Sequence, residues 1–104
     1  MTCWYCGCEL RPAYKTVDHV RPISRGGNAA DPGNKVDACK NCNSEKKDMT
    51  IDEYRLYVEL VRNGCPYTIG TDVVKFFLRA IEEKSPFTIR PVRFHGEIEV
   101  LKQK

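Results

Sequence analysis

The sequence predicts a small α+β protein: a short hairpin and a helix stapled by a metal, then a helical segment and a short C-terminal strand pair. Three observations predict it. Two Cys-x-x-Cys pairs, Cys3/Cys6 and Cys39/Cys42, bracket the first part of the chain. Between them lie two short apolar runs separated by strong turn signals. Beyond residue 50 the apolar positions recur at helical spacing. The 104 residues suffice for one domain, or for a core with an appendage, and not for two full domains. The expected division is a core over residues 1–49 and an extension over residues 50–104 packed on it.

Cys3-Trp4-Tyr5-Cys6-Gly7 has the shape of a metal knuckle, with a Gly where the backbone turns beneath the ion. Cys8 is a third thiol in this stretch and is read as a bystander, because Cys3/Cys6 has the commoner spacing. Residues 9–15, with Pro12, are loop. Lys15 to Val20 reads as a short strand carrying Val17 and Val20, and Pro22 ends it. Ser24-Arg25-Gly26-Gly27-Asn28 is a turn, and residues 28–34 are loop. Lys35 to Ala38 is a second short strand around Val36. Cys39 to Cys42 is the second knuckle, and Asn43 to Met49 opens as a helix.

Thr50-Ile51-Asp52-Glu53 matches a capping box, so a second helix starts at Ile51. Tyr54, Tyr57, Val58 and Val61 mark its apolar face, and Gly64 is its stop. A third helix runs from Asp72 to about Lys84 with Thr71 as N-cap. Its core face carries Val73, Phe77, Ala80 and Ile81, with Val74 and Leu78 beside them. Ser85-Pro86 breaks it. Phe87 to Arg90 and Ile98 to Leu101 are strand-like, with His95-Gly96 as the turn between them.

Six cysteines in so short a chain mean either disulfides or metal. No signal-peptide pattern opens the chain, and four of the six fall in Cys-x-x-Cys pairs, so a structural zinc on Cys3, Cys6, Cys39 and Cys42 is expected. No apolar run approaches the ~20 residues that span a bilayer, so a cytoplasmic protein without a membrane partner is expected. The net charge of +3 is mild. Basic residues nevertheless gather around the motif, which suits a polyanionic substrate, although a solvated mixed surface fits the charge alone equally well.

Taken together, Cys3-x-x-Cys6, Asp18-His19, Gly26-Gly27, Asn34, Cys39-x-x-Cys42, Asn43 and Lys46 resemble the HNH endonuclease family, in its four-cysteine zinc-bearing branch. The resemblance covers residues 3–48. It implies a ββα-metal, treble-clef-like core and cleavage of DNA to 5′-phosphate and 3′-hydroxyl ends. It implies that Asp18 and Asn43 hold a catalytic Mg²⁺ or Mn²⁺, that His19 is the general base, and that Asn34 orients it. The chain departs from a literal His-Asn-His at both ends, with Asp for the first His and Asn for the last. This leaves the choice of metal more open.

The same roles follow from chemistry. One divalent ion can hold charge on a phosphate and help its leaving oxygen. Mg²⁺ takes few protein oxygens and keeps several waters, which Asp18 and the Asn43 amide would satisfy. An imidazole with an intrinsic pKa near ~6.5 can take a proton from water at neutral pH. Neighbours on a regular strand point to opposite faces, so Asp18-His19 should sit at a strand end or bulge. Arg21, Arg25, Lys46 and Lys47 flank the site as phosphate contacts or as ordinary surface charges, with Lys46 favoured because the family often has Lys there.

Each residue also has a plainer reading. His19 could ligate zinc or make a buried hydrogen bond, Asp18 could cap a turn, Asn34 could be a turn residue and Asn43 a helix cap. The alternative function is a non-catalytic zinc-binding module for nucleic acid or protein. Residues 50–104 would extend the DNA surface, form a homodimer face or dock on a larger protein.

Overall fold

The computed structural model describes residues 1–83 and 93–102. The chain divides into two compact units, Met1–Thr50 with Arg93–Lys104, and Ile51–Val92. The first contains strands β1 (Lys15–His19) and β2 (Lys35–Cys39), helix α1 (Lys40–Lys46) and, from the C-terminal end, helix α4 (His95–Lys102). The second contains helices α2 (Ile51–Arg62) and α3 (Thr71–Glu83).

In the first unit, β1 and β2 pair antiparallel in an unbroken register from Lys15 opposite Cys39 to His19 opposite Lys35. No bulge interrupts the ladder, so Asp18 shares a face with Thr16, and His19, at the strand's end, takes the other. Pro22, which has no amide to continue the ladder, follows three residues after His19 and is buried. Its carbonyl accepts from the amides of Arg25 and Gly27 at 2.8 and 3.0 Å. A Cβ on Gly27 would lie 1.9 Å from the Arg21 carbonyl oxygen, so the turn closes only with glycine there.

The first knuckle is closed by the Cys3 amide donating to Cys8 O and the Gly7 amide donating to Cys3 O, at 2.8 and 2.9 Å. Gly7 takes a φ of 81°, the left-handed region that glycine enters without strain. The Trp4 amide donates to Asp37 O at 2.8 Å and pins the knuckle to β2.

Helix α1 corrects the expected start at Asn43. It begins at Lys40, because Cys39 serves as its N-cap: the Cys39 thiol accepts from the Cys42 amide at 3.4 Å, in the role usual for a Ser or Asp oxygen. It also stops short of Met49. Lys47 takes a φ of 51°, and the turn that follows buries Met49 completely.

The expected C-terminal strand pair is corrected too. Phe87 to Arg90 lies outside the described residues, and Ile98 to Leu101 lies within α4. Tertiary packing overrides the alternating pattern there. Phe94 is buried against Trp4 and Tyr5, with ring centroids 6.2 and 5.2 Å away. The His95 and Gly96 amides, unpaired at any helix start, donate to Tyr5 O and Trp4 O at 3.0 and 2.7 Å. The Glu97 carboxylate accepts from the Phe94 amide at 3.0 Å, as the Glu of a capping box does. A Cβ on Gly96 would lie 2.0 Å from Trp4 Nε1, so this docking requires glycine.

In the second unit, α2 begins at Ile51 as expected. Gly64 ends it with a φ of 102°, and the Cys65 amide reaches back to Leu60 O at 2.9 Å. Tyr54 stacks on Tyr57 at 5.9 Å, and the Tyr57 hydroxyl donates to Tyr67 O at 2.8 Å, tying down the linker. Helix α3 buries Val74 fully. Val73 and Phe77, expected in the core, are 44% and 43% exposed, and Phe76 is 65% exposed. The helix is apolar around more of its circumference than its buried stripe covers. No described helix is long and apolar enough to cross a membrane.

Candidate metal centres and the buried carboxylate

The four sulfurs of Cys3, Cys6, Cys39 and Cys42 all lie within 4.8 Å of one another, positioned to bind a metal ion. Two come from the first knuckle, one from the end of β2 and one from the first turn of α1. The Cys6 and Cys39 sulfurs are 3.9 Å apart, and the described cysteines are all free. A disulfide would hold them at about 2.05 Å. A tetrahedral ion with Zn–S bonds of about 2.3 Å has S–S edges of about 3.8 Å, close to the Cys6–Cys39 separation.

Burial pushes the Cys3 thiol up, but backbone hydrogen bonds from Cys39, Cys6 and Tyr5 outweigh it and bring it from 9.0 down to about 7. Cys8 goes the other way. Its hydrogen bond with Cys6, burial and its hydrogen bond with Cys39 push it up to about 12, so at neutral pH it stays a thiol. Geometry sorts Cys8 from the quartet: its sulfur is not in the group whose members all lie within 4.8 Å of one another.

Asp18 is buried on the β1 face that α1 covers. Its Oδ2 is 3.0 Å from the Lys46 ammonium and also accepts from the Tyr5 hydroxyl. Lys46 was expected at the phosphate-facing surface. It is instead fully buried, its side chain 0% exposed, with Nζ also donating to His19 O at 2.9 Å. The ammonium thus holds the carboxylate and the carbonyl on either side of the Asp18–His19 peptide link. Tyr5 lies inside the first knuckle, so one hydroxyl joins the sulfur cluster to the carboxylate. Burial, then the hydrogen bond to Asp18 and its charge, raise the Tyr5 pKa far above its usual value and keep it protonated.

Asn43 sits one turn before Lys46 on α1. It lies inside the helix, so the cap reading does not apply to it. Its Nδ2 is 3.2 Å from Thr16 Oγ1, and that hydroxyl donates to Ala38 O at 2.7 Å. Thr16 and Asp18 on β1 therefore oppose Asn43 and Lys46 on α1. The arrangement brings one carboxylate and one amide to the same strand–helix seam. Each can offer oxygen, which a hard divalent ion accepts with water and phosphate, while the Lys46 ammonium balances the one carboxylate charge.

His19 is half-buried, and no described residue hydrogen-bonds its imidazole. The Asn34 side chain does not reach it. Asn34 Oδ1 accepts from the Arg21 amide at 2.8 Å, and Nδ2 donates to Arg21 O and Asn28 O at 3.0 and 3.4 Å. The Val20 amide donates to Asn34 O at 2.9 Å. Asn34 thus acts on the backbone just beyond His19, as a continuation of the ladder across the loop. Arg21 and Lys47 are exposed. The Arg21 Nε donates to Arg25 O at 2.8 Å, and an Arg25 Nη1 lies 3.3 Å from Asp48 O.

Tyr5 and Thr16 were not singled out as site residues. Tyr5 is next to Cys6 and Thr16 is two positions from Asp18, and neither has a spacing signal of its own.

Residues 3–49 match the model of a family described as HNH endonuclease. The match takes in the sulfur cluster, both strands and α1. No curated protein matches the chain.

Proposed function

We propose, from the HNH endonuclease match over residues 3–49, that this chain hydrolyses DNA phosphodiester bonds with a divalent ion held by Asp18 and Asn43 and a structural zinc held by Cys3, Cys6, Cys39 and Cys42. The observation that carries it is the seam between β1 and α1. There a buried carboxylate on β1 and an amide on α1 lie on facing elements, and the only histidine of the matched segment follows the carboxylate in sequence, on the opposite strand face.

Bound at the seam, Mg²⁺ or Mn²⁺ would stabilise charge on the phosphate and its leaving oxygen. The chain's own residues do the rest. His19 leaves the strand face opposite Asp18, so one phosphate meets both only across the strand end, where Pro22 stops the ladder. There the imidazole accepts a proton from the attacking water. Asn34 holds the backbone just beyond His19, and Lys46 holds the His19 carbonyl and the Asp18 carboxylate. Exposed Arg21 and Lys47 and half-buried Arg25 contact the flanking phosphates.

One observation favours the non-catalytic reading: Oδ2 of Asp18 already has a cation, the Lys46 ammonium. Nicking of supercoiled plasmid decides between the two. Mg²⁺- or Mn²⁺-dependent nicking is expected, with His19→Ala slower by about 10²–10⁴-fold. A zinc-loaded protein that binds DNA without ever nicking it supports the binding module instead.

A further inference from the structure

Thr16 is not a ligand in the arrangement above, yet its hydroxyl decides which atom Asn43 offers to a cation. We propose that Thr16 is a positioning residue: it fixes the Asn43 amide so that Oδ1, rather than Nδ2, is presented for ligation. This rests on the seam being a divalent-ion site.

The argument is one of proton inventory. Thr16 Oγ1 is 2.7 Å from Ala38 O. A carbonyl has no proton to give, so the hydroxyl must donate there. With its one proton committed, Oγ1 can only accept from a third group. That group is the Asn43 amide at 3.2 Å, and only its nitrogen can donate. A flipped amide would place two acceptors against each other and leave the hydroxyl oxygen unmatched. The terminal torsion of an asparagine is otherwise broad, so the amide needs this anchor to keep one face. The geometry belongs to the seam itself: Thr16 is two residues from Asp18 on one strand face, and Asn43 is three residues from Lys46 on α1.

The test uses the zinc-loaded full chain and reads Mn²⁺ binding directly, by the electron paramagnetic resonance signal of unbound Mn²⁺, alongside plasmid nicking. Thr16→Val should weaken Mn²⁺ binding about tenfold, the equivalent of about 1.4 kcal/mol. Thr16→Ser, which keeps the hydroxyl, should restore it to within about twofold of wild type. Thr16→Ala is the second variant should valine prevent folding. In an Asn43→Asp background both side-chain oxygens can ligate, so the Thr16 substitution should then leave Mn²⁺ affinity unchanged.

A Thr16→Val or Thr16→Ala protein that binds Mn²⁺ as wild type does overturns the proposal. So does an equal loss in the Asn43→Asp background, since that marks a merely structural role. A wild-type chain that binds no Mn²⁺ beyond its sulfur site sinks the divalent-ion reading and this one together. Binding that ignores Thr16 sinks this one alone.

Discussion

Removing the Lys46 ammonium should strongly destabilise the unit that contains it. Lys46→Met keeps most of the buried stem and deletes only the charge and its donors. At 3.0 Å the attraction to Asp18 Oδ2 is worth about 5 kcal/mol gross at an effective dielectric of about 20. Most of that is offset by the desolvation of two ions, so the intact pair adds little net stability. Breaking it is different, because the carboxylate then stays buried with the Tyr5 hydroxyl as its remaining partner. That situation costs about 3–5 kcal/mol, and the lost bond to His19 O adds to it. For a unit of this size the melting temperature should drop by more than ~10 °C. Trp4 is the single tryptophan and lies in the knuckle, so its fluorescence follows this unit during heating at fixed zinc concentration. Adding Asp18→Asn to Lys46→Met should recover much of the loss, because no unpaired charge then remains. A Lys46→Met protein that melts within a few degrees of wild type would refute the reasoning. So would a double variant whose losses simply add.

Other expectations follow from the same contacts. Tyr5→Phe removes the bond between the knuckle and Asp18, and should destabilise the unit by about 1–3 kcal/mol while zinc stoichiometry stays at one per chain. Phe94→Ala opens a hole against Trp4 and Tyr5, and should cost about 3–5 kcal/mol in chemical denaturation. A strong chelator should destabilise the knuckle and shift Trp4 emission toward that of water-exposed indole, since the proposed zinc would cross-link four sulfurs drawn from the knuckle, β2 and α1. Cys3 in the folded metal-free chain titrates near 7 against 9.0 for an ordinary thiol. A folded-state value below the unfolded one stabilises the fold fully above 9.0, and that contribution is lost as pH falls through about 7. Zinc competes with the same proton, so its affinity should fall steeply below about pH 7 in chelator competition. An affinity flat across that interval contradicts the assignment.

Some of this architecture is local and so is written in short stretches of sequence. Cys3/Cys6 and Cys39/Cys42 have a spacing that only a few backbone conformations satisfy, and all four sulfurs converge as that spacing requires. Pro22 and Gly64 end a strand and a helix for reasons confined to their own backbone, a missing amide and a left-handed φ. The start of α2 at Ile51 follows from four consecutive residues. The start of α1 was harder to read, because Cys39 caps a helix with a sulfur that the spacing had already assigned to the metal.

The sequence by itself determined that two thiol pairs would bracket a hairpin and a helix around Asp18-His19, because turn geometry and ligand spacing act over a handful of bonds. Only the tertiary structure decided that Lys46 is buried beneath Asp18 rather than exposed, and that Tyr5 of the knuckle reaches the same carboxylate. It also decided that Phe94 and Gly96 dock a helix where an alternating pattern suggested a strand, and that α3 buries Val74 rather than Val73 and Phe77. The physical reason is the same each time. Which face of an element is buried depends on partners far away in the chain, and the energy of a buried charge or ring is set by those partners rather than by its neighbours in sequence.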